Sequence, residues 1–240
     1  MTRLTLLLVC AGAALTARAS TIYSTGFEHP TFNTGQLVGQ DDWVTDHTNS
    51  AARVQTSVVH SGYQAVKIDA LPIVLDHWWW SAGHAYDPWG AGESVVQVET
   101  YMRLSSDYFR SESWGLDVYD SQVDRVGLWS VDDDNNLRVW NGTSGLDVDT
   151  GVDIARGQWY RFTARFDYRA GTYTVLVDGV QAGGTYPMGS TLDFGDADFR
   201  VTEPGFDKAY FDDFSVTTQP EPASLGLVLL AGVAGLRRRA

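Results

Sequence analysis

Cysteine is almost missing from this 240-residue chain, and the single one is Cys10. A chain with one cysteine closes no internal disulfide, so its fold rests on its core or on a metal. Glutamate is scarce, with only Glu28, Glu93, Glu99, Glu112, Glu203 and Glu221. No Glu-x-Asp-x-Glu or Glu-x-Asp-x-x-Glu run sets two carboxylates on one strand face. Glu93 and Glu99 would lie roughly 20 Å apart along a strand, against the ~5 Å of a retaining glycosidase. The five histidines (His29, His47, His60, His77, His84) show no His-x-x-x-His spacing, and there is no Gly-x-Ser-x-Gly elbow. These absences count against an enzyme; a triad assembled from distant residues stays open. Helical periodicity is also nearly absent, which argues against a helical bundle or an alternating α/β chain.

The two chain ends have their own character. Arg3, an apolar run from Leu4 to Leu15 and Ala17-Arg18-Ala19 before Ser20 form an export signal, assigned to residues 1–19. Cys10 lies inside it, after Val9 rather than a small residue, so lipidation is not expected. At the other end Pro220-Glu221-Pro222 precedes an uncharged run, Ala223 to Leu236, and then Arg237, Arg238 and Arg239. The run is shorter than the roughly 20 residues a permanent span needs, and the arginines fit the cytoplasmic side. The prolines mark an extended, accessible boundary.

This three-part tail, residues 218–240, resembles the PEP-CTERM sorting signal of Gram-negative bacteria, with Pro220, Glu221, Pro222 and Arg237 to Arg239 as its fixed points. The resemblance implies recognition by an exosortase, transient membrane association through a hydrophobic sorting helix, and a fate at the cell surface or in the exopolysaccharide matrix. The alternative is an ordinary single-span tail anchor.

Between the ends, residues 20–217 make one domain large enough for a substantial core. Here 12 basic residues stand against 29 acidic ones, a net of −17. Such a charge disfavours nucleic acid and anionic polysaccharide as partners and is compatible with neutral polysaccharide, with cations or with plain solubility.

Period-two alternation runs through this body. Val96, Val98, Thr100, Met102 and Leu104 share one face of a strand, and Tyr160, Phe162, Ala164 and Phe166 one face of another. Gly171 and Asp178-Gly179 supply hairpin turns. Further strands are predicted at Thr21–Phe27, Arg53–Val59, Ala65–Ala70, Ile73–Trp79, Gly115–Tyr119, Arg125–Val131, Leu137–Trp140, Tyr173–Val177, Val180–Thr185, Phe199–Glu203 and Ala209–Thr217. About a dozen short strands without intervening helices predict an all-β, two-sheet antiparallel sandwich.

Gly26-Phe27-Glu28, Gln158-Trp159-Tyr160, Tyr173-Thr174-Val175-Leu176-Val177-Asp178-Gly179 and Phe211-Asp212-Asp213-Phe214, taken in order, resemble a concanavalin A-like or laminin G-like jelly roll. The resemblance implies carbohydrate or protein binding as the commonest use. Glycosidases and lyases form its enzymatic branch, and fold alone does not decide among them.

Three constellations bear on function. In Trp78-Trp79-Trp80, alternation puts Trp79 inward with Ile73, Leu75 and His77, and Trp78 and Trp80 outward near Asp76. Outward indole beside a carboxylate suits a sugar, with Trp89 as a further contact; the competing reading is a loop whose tryptophans pack over the sandwich edge. Along Tyr210 to Val216, alternation sets Asp212 with Phe214 and Asp213 with Phe211, so one carboxylate points toward the core. Glu28 approaches it if the terminal strands pair. Jelly-roll carbohydrate-binding modules resemble this pattern and hold a structural Ca²⁺ there, which oxygen ligands suit; otherwise the acid reaches water or a backbone N–H. Asp132 to Asn136 reads as a turn more than as a calcium loop, and Asn141-Gly142-Thr143 as a turn more than as a glycosylation site.

The expectation is therefore an exported carbohydrate-binding module without catalysis. Its alternatives are a structural matrix protein without a specific ligand and a glycan-active hydrolase or lyase.

Overall fold

The computed structural model describes residues 19–46, 51–69, 76–106, 113–202 and 207–219, with Asp76 and His77 as backbone only. The export signal up to residue 18 and the sorting tail from Pro220, with Glu221, Pro222 and Arg237 to Arg239, lie outside the described residues.

The chain is all-β. In order the elements are β1 (Thr21–Thr25), β2 (Gly35–Gln36), β3 (Trp43–Thr45), β4 (Ala52–Gln55), β5 (Ala65–Asp69), β6 (Asp76–Ser81) and the single helical turn α1 (Pro88–Ala91). There follow β7 (Val95–Leu104), β8 (Ser113–Tyr119), β9 (Arg125–Val131), β10 (Asn136–Asn141), β11 (Leu146–Asp153), β12 (Tyr160–Asp167), β13 (Thr172–Val177), β14 (Val180–Pro187), β15 (Asp196–Thr202) and β16 (Lys208–Gln219). They form two antiparallel sheets. One runs β14-β13-β12-β7-β16-β5-β4-β2, with β1 also on β16; the other runs β11-β10-β9-β8-β15-β6-β3. This is the sandwich predicted, consistent with a jelly roll. No helix among the described residues is long and apolar enough to cross a membrane.

Alternation explains which side chains meet. Val96, Val98, Thr100, Met102 and Leu104 of β7 are all buried, as are Phe162, Ala164 and Phe166 of β12. From the facing sheet come Trp79, Trp114, Leu116, Val118, Trp129, Phe199 and Val201. Stacked rings join the layers: Trp129 on Phe162 at 4.3 Å and Phe199 on Phe211 at 4.2 Å between centroids. Such offset contacts add about 0.5–1.5 kcal/mol each beyond the area they bury. The β13–β14 hairpin turns on Asp178 (φ 50) and Gly179 (φ 83), the positive-φ pair that a two-residue hairpin of matching twist requires.

β16 departs from expectation. Its register breaks between Asp212 and Ser215, and Asp213 has φ 47. The bulge adds a residue, so Phe211 and Phe214 both reach the core and strict alternation fails. Asp212 therefore does not share a face with Phe214. It lies opposite Tyr101, on the outer side of the nine-stranded sheet. The break falls where β16 changes neighbours, from β5 over Lys208–Phe211 to β1 over Phe214–Thr217.

Candidate functional site

The outer face of the seven-stranded sheet carries the polar constellation of the domain. Because Trp114, Leu116, Val118, Phe199 and Val201 fill the core, the alternate residues of β8 and β15 turn outward. In register across the sheet run Trp78, Arg200, Gly115, Ser130, Arg138 and Asp149. Beside them lies a second row, Asp198, Asp117 and Leu128. Gly115, between Arg200 and Ser130, lets the β9 backbone approach closely, since a Cβ there would fall 2.0 Å from the Trp129 carbonyl oxygen.

Asp117 is fully buried and forms the floor. Arg125 donates to it twice, from Nε to Oδ1 and from Nη2 to Oδ2, both at 2.8 Å. Tyr119 Oη donates to Oδ2 at 2.9 Å, and Arg200 Nε stands 3.8 Å away. Burial pushes the Asp117 carboxyl above the usual range, and Arg125 and Arg200 oppose that shift. The Arg125 guanidinium also lies 5.4 Å from the Trp140 ring centroid, a cation–π distance.

Asp196 and Asp198 stand two residues apart on one face of β15. Burial pushes Asp196 up to about 6. It pushes Asp198 well above the usual range, helped by the neighbouring charges of Asp196 and Asp117. Asp196 Oδ1, Asp198 Oδ1, Arg200 Nε and Trp78 Nε1 are all buried without a hydrogen bond among the described residues. Leaving such an atom unsatisfied costs about 1–3 kcal/mol, so the four concentrate unmet polar demand just beneath this face of the sheet.

Trp79 is buried, and Trp78 and Trp80 are half-buried on the outer face, as alternation predicts. Trp78 is clamped through its backbone: its amide donates to Asp46 Oδ1 at 3.1 Å and its carbonyl accepts from Thr45 Oγ1 at 2.8 Å. Asp76 opens β6 opposite Thr202. Trp89 belongs elsewhere, on α1 outside the sheet, half exposed. Asp117, Asp196, Asp198, Arg125 and Arg200 were not singled out by sequence reasoning. The signal for three of them was there: Asp196-Ala197-Asp198-Phe199-Arg200 alternates polar with apolar, and the strand begins three residues before Phe199.

The terminal acids form a second locus. β1 pairs with β16, so the segments after β1 and before β5 meet at the bulge. Asp212, fully buried, accepts from the backbone N–H of His60 at 3.0 Å, Ser61 at 3.1 Å and Asp213 at 2.9 Å. Asp213 takes His60 Nδ1 at 2.8 Å and Ser61 Oγ at 2.9 Å. Glu28 Oε1 accepts the amides of Tyr63 at 2.7 Å and Gln64 at 3.0 Å. Ligand-type atoms of His60, Asp212 and Asp213 lie within 4.8 Å of one another; Glu28 is not in that group. A Cβ on Gly62 would fall 2.1 Å from Glu28 Oε1, and one on Gly26 lies 3.4 Å from Asp213 Oδ1. Two side-chain-free residues thus let the acids crowd one turn. Asp132 accepts the amides of Asp134 and Asn136 and pairs with Arg138, which makes that loop a turn. Asn141 Oδ1 likewise caps the amides of Thr143 and Ser144.

No protein-family profile and no curated protein matches the chain. Among solved structures it is similar to a sialidase, at a TM-score of 0.61 and 10% identity, over 84% of this chain and 19% of that one. It is also similar to the cellulose-induced protein Cip1, at 0.59 and 14%, over 81% and 96%. A carbohydrate esterase from the Shiga toxin-encoding bacteriophage phi24B gives 0.59 and 13%, over 84% and 100%. The chain spans less than a fifth of the sialidase. At such identities the likeness is one of fold.

Proposed function

We propose that the outer face of the seven-stranded sheet binds a neutral polysaccharide without cleaving it. The observation that carries this reading is the outer face itself, where half-buried Trp78 and Trp80 of β6 lie beside Asp196, Asp198 and Arg200 of β15. Sugar hydroxyls donate and accept, so they match carboxyl oxygens and N–H groups together, while the faces of Trp78 and Trp80 take the ring C–H groups. The fold neighbours named for sialidase and carbohydrate esterase activity make glycans the natural ligand class. The body charge of −17 supports a neutral one. Calorimetric titration of the full chain with cellohexaose, laminarihexaose and mannohexaose tests it. Trp78→Ala and Asp198→Asn are expected to weaken binding at least tenfold; unchanged affinity in both overturns the reading.

Hydrolysis is the second reading, favoured by one feature: Asp198 and Asp117 are cross-strand neighbours, one held toward its protonated form and one paired with arginine. Divergent environments of this kind separate an acid from a charged partner. Full burial of Asp117 behind Arg125 and Tyr119 favours binding instead. A structural matrix role without ligand is the remaining alternative.

The destination is part of the proposal. Export, exosortase processing near Pro220-Glu221-Pro222 and release to the cell surface or matrix of a Gram-negative bacterium follow from the sequence resemblance, as does transient membrane association through the tail. Mass spectrometry of the extracellular protein is expected to lack the tail; an intact Leu225–Ala240 segment there contradicts it.

We further propose that the terminal acids hold a structural Ca²⁺. The carboxylates of Asp212 and Asp213 with Ser61 Oγ beside them offer a hard cation oxygen donors, while Glu28, the third acid expected there, lies outside that cluster. Asp212 and Asp213 would hold it, and the ion would supply charge balance where these two carboxylates adjoin.

A further inference from the structure

We propose a second sugar site, separate from the sheet face, in the cleft beside Trp89. It would take one pyranose unit, a chain end or a branch, of a neutral glycan. Trp89 sits on a rigid one-turn helix. Asp87 Oδ1 accepts its amide at 2.9 Å, and Gly92, in the left-handed region at φ 72, closes the turn onto the Pro88 and Trp89 carbonyls. The indole N–H donates to the Thr191 carbonyl at 3.1 Å. The one polar atom of the ring is thus satisfied within the protein, yet the residue is 51% exposed. What reaches water is a flat apolar plate held at both its backbone and its polar edge.

A cleft of about 190 Å³ opens against this plate, lined by Pro88, Trp89, Gly92, Glu93, Ser94 and Arg169. That is below the roughly 300–1,000 Å³ of sites for drug-sized ligands, so the cleft suits a single ring. Glu93 commits Oε2 to Tyr86 Oη at 2.8 Å and has a second oxygen to accept a hydroxyl. Arg169 is exposed at the cleft wall. Leu192, 44% exposed next to Thr191, extends the apolar surface. An indole plate flanked by one acid and one guanidinium is the chemistry that holds a pyranose: C–H groups on the ring face and hydroxyls on the charged groups.

This site stands on its own residues. If the sheet face also binds, two sites on one rigid domain let the protein engage two chains, or one chain twice, with a gain set by geometry. The test is an NMR titration of the ¹⁵N-labelled full chain with cellohexaose, laminarihexaose and mannohexaose, following the indole N–H resonances. The Trp89 signal is assigned by its loss in Trp89→Phe. In the Trp78→Ala/Trp80→Ala variant, the Trp89 resonance is expected to move and saturate with at least one of the three sugars. Trp89→Ala is expected to weaken that residual binding at least tenfold while the other indole resonances keep their positions, which reports an intact fold. A Trp89 resonance that stays still while those of Trp78 and Trp80 move overturns the second site and leaves the first. Movement of Trp89 only when Trp78 and Trp80 are intact makes the two one site and overturns their independence. No indole movement with any of the sugars overturns it as well.

Discussion

Replacing Arg125 with methionine isolates the ion pair under the proposed binding face. The change keeps an apolar stem of similar length but leaves Asp117, which has no exposed surface, without its two 2.8 Å donors. Removing one partner of a buried pair costs about 3–5 kcal/mol. Tyr119 Oη remains at 2.9 Å and Arg200 at 3.8 Å, so the lower end, about 3 kcal/mol, is expected. For a domain of about 200 residues this lowers the melting temperature by about 6–12 °C. Burial already pushes the Asp117 carboxyl upward; with Arg125 gone it would rise further and take up a proton. The loss should therefore be larger near pH 7 than near pH 4. Urea denaturation of Arg125→Met at both pH values measures it. Adding Asp117→Asn to Arg125→Met should recover part of the loss, since the orphaned charge disappears. A loss below about 1 kcal/mol near pH 7, or one equal at the two pH values, would refute the claim that Asp117 is ionised because Arg125 holds it so.

Other expectations concern separate parts of the molecule. Asp196 and Asp198 have raised carboxyl pKa values in the folded state, Asp196 at about 6. The contribution of Asp196 is fully present below the ordinary carboxylate value and is lost as pH rises through about 6. Stability of the wild type relative to Asp196→Asn should fall over that window by roughly 1–3 kcal/mol, read from denaturation midpoints; parallel pH profiles would contradict the raised Asp196 value. A chelator should lower the melting temperature, and Asp212→Asn with Asp213→Asn together should abolish that response. At a hundredfold excess of calcium over Kd the ion adds about 2.7 kcal/mol, and superimposable melting curves with and without chelator would remove the metal from the account. Phe199→Ala should cost about 3–5 kcal/mol, because the ring is fully buried and stacks on both Trp43 and Phe211; a loss under about 1 kcal/mol by urea denaturation would show that the core closes over the gap.

The parts of the fold legible in the sequence are those encoded by neighbours in the chain. β7 and β12 show their buried faces by alternation, and Asp178-Gly179 shows its turn because few residue pairs tolerate two positive φ angles. The outward placement of Trp78 and Trp80 follows from the same period. What was not legible depends on distant residues. β11 was missed because its aspartates and Gly151 are poor strand formers; it pairs only with β10 at the sheet edge, and five of its eight residues are exposed. The Asp117–Asp198 juxtaposition arises from the register of β8 with β15, some 80 residues away (117 to 198), and no local pattern specifies it. The bulge at Asp213 was hidden because alternation assumes an unbroken ladder. Trp89 was grouped with Trp78 by proximity in sequence, yet a turn and a helix carry it off the sheet.

The most direct test of the central claim is a glycan array on the full chain, run with Trp78→Ala beside it and with a reducing-sugar assay on every glycan that binds. The account predicts binding to neutral glycans, weakened in the variant, with no new reducing ends. Absence of binding to any neutral glycan, or release of reducing ends from a bound one, would contradict it.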